Sequence, residues 1–561
     1  MNSLDLIVMV VFAVLIFIIG LIFTRVGSKS GQAFFEAGGE TPWWINGLSL
    51  FISYFSAGTF VVWGSIAYKQ GLVANAIQVT MAVSGLLTAL FIAGRWKRTG
   101  SKTAAEFIGK RFNTGTQQFY TYLILLLSLV NTGAVLYPVG KMVSAATPLS
   151  LNTCIIIIGI IIVLYTAAGG LWAVLVTDVV QFVVLLAAVL IVLPAAFKEV
   201  NGINNFIEKA PPDFFHFFSN DYTFGFMLAF MIYQTVYIGG NWSYVQRYTS
   251  VASEKNARKV AYLFAALYLV SPIIWMLPPM IFRVINPGLT GLEPENAYML
   301  LCQKVLPAGL IGLVLSGMIS ATSSKANTTI NLAATVFAQD VYRKLIRPLA
   351  SEKEQILIAR LFTLLFGAST IVIAILVPQA GGIVEVVLSI ASIAGSALFA
   401  PIIWSLYSKR QNAFSVVFVT IVSLSVNLFL KVISPALLNI KLNRTYETVL
   451  GVGLPLFLLL IFEWYYKISR KPTFEFIYPG KTDPLILPDA KLKNEHAAAL
   501  QQNKFGVTVI GWSIGFIGIG ILVLGILAAG HDIVKWVGLG ILLLGLFISW
   551  LSRNMSGGKS V

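Results

Sequence analysis

The chain predicts an all-α protein that crosses a membrane many times. Three observations carry this. Its 561 residues are 57% hydrophobic and only 11% charged, its mean hydropathy is +0.83, and its apolar residues fall into runs of about 20, the length of a bilayer-spanning helix. Soluble domains carry about a quarter charged residues, so a soluble fold of this size is excluded. The formal charge of +16 sits in short basic clusters between apolar runs. That is the pattern of cytoplasmic membrane loops, and no nucleic-acid partner is expected. Cys154 and Cys302 lie at or within apolar segments, without disulfide or metal-ligand spacing, and His216, His496 and His531 are scattered. No cofactor is implied.

The first apolar run, residues 6–23, follows Asp5 and precedes Arg25 and Lys29. That charge order is wrong for a secretory signal, so the run reads as a first membrane helix entering from outside. Further segments fall near 44–68, 73–94, 117–144, 153–168, 171–195, 223–246, 260–283, 306–338, 357–378, 383–406, 413–432, 447–466, 506–528 and 533–551. The total is 14–15 helices, counting about 20 residues for each. Basic clusters at 95–111, 247–259, 343–353, 409–410 and 467–504 fall on one side, whereas loops 196–222 and 284–303 are poor in Lys and Arg. The positive-inside rule then places the N-terminus outside and the C-terminus in the cytoplasm.

Residues 53–58 (SYFSAG) and 237–242 (YIGGNW) interrupt two membrane segments with Gly and Ser. Such runs either let helices pack closely or permit local unwinding that offers backbone groups to a ligand. Here each interruption opens a five-helix block, 44–195 and 223–406. An odd number of crossings gives the two blocks opposite orientation, which is the layout of an inverted-repeat transporter. The expected organisation is an extra N-terminal helix and loop at 1–43, the first repeat at 44–195, an external loop at 196–222 and the second repeat at 223–406. Accessory helices follow at 407–466, a proline-broken cytoplasmic linker at 467–505, and C-terminal helices and tail at 506–561.

Lys325 stands near the centre of a spanning segment, among Ser320, Thr322, Ser323, Ser324, Asn327, Thr328, Thr329 and Asn331. A charge at that depth must face a cavity or a partner. Distance disfavours snorkelling: more than ten residues separate it from either helix end, about 15 Å or more at the helical rise.

Several motifs in order resemble the sodium/solute symporter family. They are Pro42, Trp43 and Trp44, the run Tyr165 to Gln181 (YTAAGGLWAVLVTDVVQ), Gln246 with Arg247, and Asn331, Thr335, Asp340 and Tyr342. The similarity runs from about residue 40 to 410 and implies a LeuT-type bundle of five-plus-five inverted repeats. One extra N-terminal helix and about four extra C-terminal ones complete that fold. Substrate would lie at mid-membrane between the two broken helices, with a sodium ion beside it. Carried across, the sodium site takes backbone carbonyls of Ile52, Phe55 and Ala321 and a hydroxyl at Ser324. Its second hydroxyl falls on Lys325, although a one-residue gap would restore Ser323 and Ser324 as the pair.

That substitution is not neutral. A sodium ion needs oxygen ligands, whereas an ammonium is itself a monovalent cation with three donors and no acceptor. Lys325 would then tether in place the charge that sodium otherwise brings. Asp178, within the family motif, is the expected counter-charge, and the pair reads either as a proton-exchanging device or as a static salt bridge. The resemblance also places Tyr54, Thr59 and Gln78 from the first repeat at the solute, with Gln234, Tyr237 and Tyr268 from the second. Asn131 stands where sialic-acid members carry an arginine. With no arginine or spare lysine expected at the pocket, a neutral sugar or polyol fits better than a carboxylate.

The functional expectation is a secondary transporter of a small polar organic solute, in a cell membrane, with Na+ or H+ as coupling ion. Sodium-independent or proton-linked transport is favoured, ordinary sodium symport being the alternative. A solute sensor acting through a partner is a reading of another class. No nucleotide-binding P-loop occurs, and no catalytic dyad or paired carboxylates mark the apolar core, so an enzyme is not expected.

Overall fold

The helix that the sequence starts near residue 44 stops at Tyr54, and its continuation from Thr59 is turned by 54°. The computed structural model describes residues 2–27, 41–165, 171–439, 441–470, 473–474, 489–528 and 532–554. Much of the expected linker and the glycine pair of the YTAAGG motif lie outside these residues. All the described elements are helices. In chain order the membrane helices are α1 (Ser3–Gly27), the bent pair α2 (Trp43–Tyr54) and α3 (Thr59–Gln70), α4 (Val73–Arg98), α5 (Thr114–Ala146), α6 (Leu151–Tyr165) and α7 (Leu171–Glu199). The interrupted pair α8 (Phe224–Gly240) and α9 (Trp242–Thr249) follows, then α10 (Glu254–Ile285), α11 (Leu310–Val336), α12 (Glu352–Leu376) and α13 (Ile383–Ser405). The last four are α14 (Ala413–Ile433), α15 (Arg444–Ile468), α16 (Asp489–Leu527) and α17 (Asp532–Asn554).

Among the described residues, ten helices are individually long and apolar enough to cross a bilayer, and the α2/α3 pair makes an eleventh span. Four shorter apolar helices, within α1, α6, α8 and α11, fill the remaining expected places. The bundle core forms where α10 packs on α2 and α4, α7 on α2 and α11, and α5 on α11 and α12. α1 covers α7 and α11, the α16–α17 hairpin lies against α7, and α14 and α15 back α8 and α13.

Each break has a local cause. Phe55 is extended (φ −90°, ψ 128°). The Ser56 N–H, which an unbroken helix would give to the Ile52 carbonyl, donates instead to Thr59 Oγ1 at 3.3 Å. The Ile52 carbonyl is thereby released from the helix ladder. In the second break Asn241 is extended (φ −63°, ψ 128°) and its side chain accepts from the Ser243 N–H at 3.0 Å, starting α9. Gly239 and Gly240 serve the packing role: an added Cβ would lie 2.6 Å from Ile92 and 2.7 Å from Phe399. The break there belongs to asparagine capping, and the glycines bring α4 and α13 close.

Asp5 has a role beyond the charge order read from sequence. Its buried carboxylate accepts from the backbone N–H groups of Gly309 (2.8 Å) and Gly312 (3.2 Å) at the start of α11. An acid at a helix N-terminus satisfies orphan donors and complements the helix dipole. Asp5→Leu is therefore expected to cost about 1–3 kcal/mol, the penalty for orphaned buried donors, and Asp5→Asn less. Thermal unfolding of the detergent-solubilised chain measures both, and equal midpoints for wild type and Asp5→Leu would contradict this assignment.

Candidate substrate and cation site

Two cavities meet in the bundle centre. The larger, about 120 Å³, lies between the breaks and is lined by Tyr54, Thr59, Trp63, Asn131, Gln234, Tyr237 and Lys325, together with the α13 residues Ile383, Val387 and Ile390. The smaller, about 60 Å³, adjoins α9 and is lined by Ile52, Ser53, Asp178, Arg247, Ala321, Lys325 and Thr329. Asn131, Tyr237, Tyr244 and Lys325 line both and so form the partition between them. Cavities of this volume hold several waters or a small polar solute.

The larger cavity owes its chemistry to the helix ends. Tyr54, the last residue of α2, donates from its hydroxyl to Gln234 Oε1 on α8 at 2.7 Å, joining the two interrupted helices. With Oε1 so engaged, the Gln234 amide N–H groups remain for a solute. Tyr54 also packs edge-on to Tyr237, with ring centroids 5.9 Å apart, and against Tyr244 at 5.1 Å. At the far end the Glu295 carboxylate accepts from Tyr137 Oη (2.7 Å) and from the Ile383 N–H (3.1 Å), tying α5 to the start of α13.

Five expected solute residues, Tyr54, Thr59, Asn131, Gln234 and Tyr237, meet around this cavity. Gln78 and Tyr268 do not line it. Gln78 is buried in α4 with its Nε2 unpaired among the described residues, and Tyr268 is buried against Phe51 and Tyr54, at 5.0 and 6.1 Å between ring centroids. A fraction of a helical turn separates lining from packing positions, and family register does not resolve that rotation. Trp63, Tyr233 and Tyr244 also line the cavity and were not anticipated. Their signal was the concentration of aromatics beside both breaks.

Of the expected cation-site residues, Ile52, Ala321, Lys325 and Asp178 line the smaller cavity, whereas Phe55 is fully buried outside its lining. The Ser324 side chain is outside the described set. Asp178 is not the partner of Lys325. Its Oδ2 accepts from Ser49 Oγ at 2.6 Å and lies 3.9 Å from Arg247 Nη2. Arg247 in turn donates to Ser49 Oγ (3.3 Å), Ser53 Oγ (3.2 Å) and the Ser243 carbonyl (2.6 Å). This hydroxyl-bridged ion pair joins α7 and α9 to α2. Lys325, half-buried on α11, has no ion pair or side-chain hydrogen bond among the described residues. The expectation that no spare lysine faces the solute is likewise corrected, because Lys325 lines the larger cavity.

A polar mid-membrane cavity between two interrupted helices is the working centre of an alternating-access solute carrier. The sodium:solute symporter family profile matches residues 34–422, and the chain belongs to this family. Its members are transporters, not enzymes, and the chain is a multi-pass secondary active solute transporter. Sodium/glucose cotransporter 1 of Mus musculus is 28% identical over 465 residues, covering 73% of this chain and 69% of that protein. Solute carrier family 5 member 4B of Mus musculus is 27% identical over 459 residues, with the same coverage. Sodium/myo-inositol cotransporter 2 of Bos taurus is 28% identical over 407 residues, covering 64% of this chain and 59% of that protein. The structure of a Na+-coupled sialic acid symporter in a substrate-bound outward-open state superposes with a TM-score of 0.69 at 20% identity. That superposition covers 84% of this chain and 99% of the other, which establishes the shared fold.

Removing one member of a buried ion pair strands the other. Arg247→Met is expected to cost about 3–5 kcal/mol, while the double variant Asp178→Asn/Arg247→Met recovers a large part of it. Thermal unfolding of the three proteins tests this, and additive losses would mean the pair is not coupled.

Proposed function

We propose that the chain moves a small polar organic solute by alternating access, with the Lys325 ammonium in place of a diffusible sodium ion. The observation that carries this reading is the position of Lys325, beside Ile52 and Ala321 and without an ion pair among the described residues. The released Ile52 carbonyl is a sodium-type acceptor, but an ammonium at the same place repels a second cation and supplies no lone pair. Transport would then be sodium-independent or proton-linked. Asp178 and Arg247, the other charged groups of this cavity, are engaged with one another, so Lys325 is the candidate proton carrier. Sodium stands in the names of the relatives, so ordinary sodium symport is the competing reading.

Taken by themselves, the hydroxyl and amide groups of Tyr54, Thr59, Asn131 and Gln234 favour a neutral sugar or polyol. The relatives named for glucose and myo-inositol support the polyhydroxylated class. The proposed repeats are 44–195 and 223–406, and the basic loops place the N-terminus outside and the C-terminus inside a cell membrane.

Uptake into proteoliposomes tests the coupling. An inward proton gradient should raise accumulation of the transported sugar or polyol, while an inward sodium gradient should leave it unchanged. Lys325→Ser should introduce sodium dependence. Steep sodium dependence in the wild type, with indifference to pH, would refute the tethered-cation reading.

A further inference from the structure

The net charge of the two adjoining cavities points to the charge of the solute. Among the described residues, the charged ones that line them are Lys325, Asp178 and Arg247. Asp178 and Arg247 offset each other through Ser49. One positive charge is left over, on a side chain that reaches the larger cavity. The neighbouring lining groups there, Asn131, Gln234, Tyr237 and Tyr244, are neutral. An unpaired ammonium at mid-membrane is costly, and no carboxylate among the described residues forms an ion pair with it.

We propose that the solute itself is the counter-ion: a polyhydroxylated monocarboxylate, such as a sugar acid, whose carboxylate pairs with Lys325 while its hydroxyls reach Gln234, Tyr54 and Thr59. One cation matches one carboxylate. A phosphate dianion would leave a buried negative charge uncompensated, and a neutral polyol would leave the ammonium unpaired. An apolar acid would fail at the other end, where the Gln234 amide donors need acceptors. The cavity therefore selects by charge at α11 and by hydroxyl content between α2 and α8. This inference rests on the transporter reading above and names the solute class that its cavity takes, in place of the neutral one.

Equilibrium binding to the full chain in nanodiscs, in sodium-free buffer, tests it with matched probes. The pairs are D-gluconate with D-glucitol and glycerate with glycerol, which differ by a carboxylate in place of a hydroxymethyl group. At least one acid is expected to bind about tenfold or more tighter than its neutral partner, the effect of one charge-assisted hydrogen bond. Lys325→Gln should bring that ratio close to one, and Lys325→Arg should restore a preference for the acid. Equal binding of acid and neutral partner in both pairs, or a preference that survives Lys325→Gln, overturns the proposal. Sodium-driven uptake with a Lys325-dependent acid preference would overturn the sodium-independent reading and leave this inference standing. Sodium-independent uptake that treats both members of each pair alike would do the reverse.

Discussion

Buried charge compensation is the constraint on which the centre of this bundle depends. The Asp178 carboxylate and the Arg247 guanidinium are too far apart for a direct hydrogen bond, and Ser49 Oγ fills the gap by donating to one and accepting from the other. Three helices are thereby fixed by one hydroxyl: α7 through Asp178, α2 through Ser49 and α9 through Arg247. Because α2 and α9 are the halves of the two broken helices on that side, the arrangement defines one wall of the smaller cavity. It also withdraws Asp178 from Lys325, and the character of the site follows from that withdrawal.

The breaks work with this wall. An intact α2 would keep the Ile52 carbonyl inside its own ladder and point Tyr54 along a continuous helix. Extended backbone at Phe55 instead ends the helix at Tyr54, whose hydroxyl then reaches Gln234 on α8. The same interruption that exposes backbone therefore also supplies the side-chain contact between the two interrupted helices. At the opposite end Glu295 holds the first N–H of α13 and the Tyr137 hydroxyl, so α13, which lines the cavity, starts from a fixed point.

Much of this was legible in the sequence, and the limits have physical causes. Apolar runs reported the helices, because bilayer thickness sets their length. The breaks were readable at residues 53–58 and 237–242, although Gly239 and Gly240 act in packing and Asn241 makes the second break. Lys325 declared itself as a charge where lipid forbids one. Its lack of a partner among the described residues did not, because Asp178 and Arg247 are distant in sequence and only packing shows that each takes the other. Gln78 and Tyr268 were misplaced for a related reason: on a helix of 3.6 residues per turn, a small rotation moves a side chain from cavity to core. Asp5 gave no sign of capping α11, a contact made across some three hundred residues.

Lys325 is covalently part of α11, and that has an electrical consequence. A diffusible sodium ion entering with a neutral solute carries one charge across the membrane in each cycle, gaining about 2.3 kcal/mol per 100 mV. A lysine that moves with the carrier returns with it. Over a closed cycle the ammonium carries no net charge, so the membrane potential does work only on what is released. With this side chain in the role of the cation, the voltage acts on the cycle only through the charge of the solute and any proton that Lys325 releases.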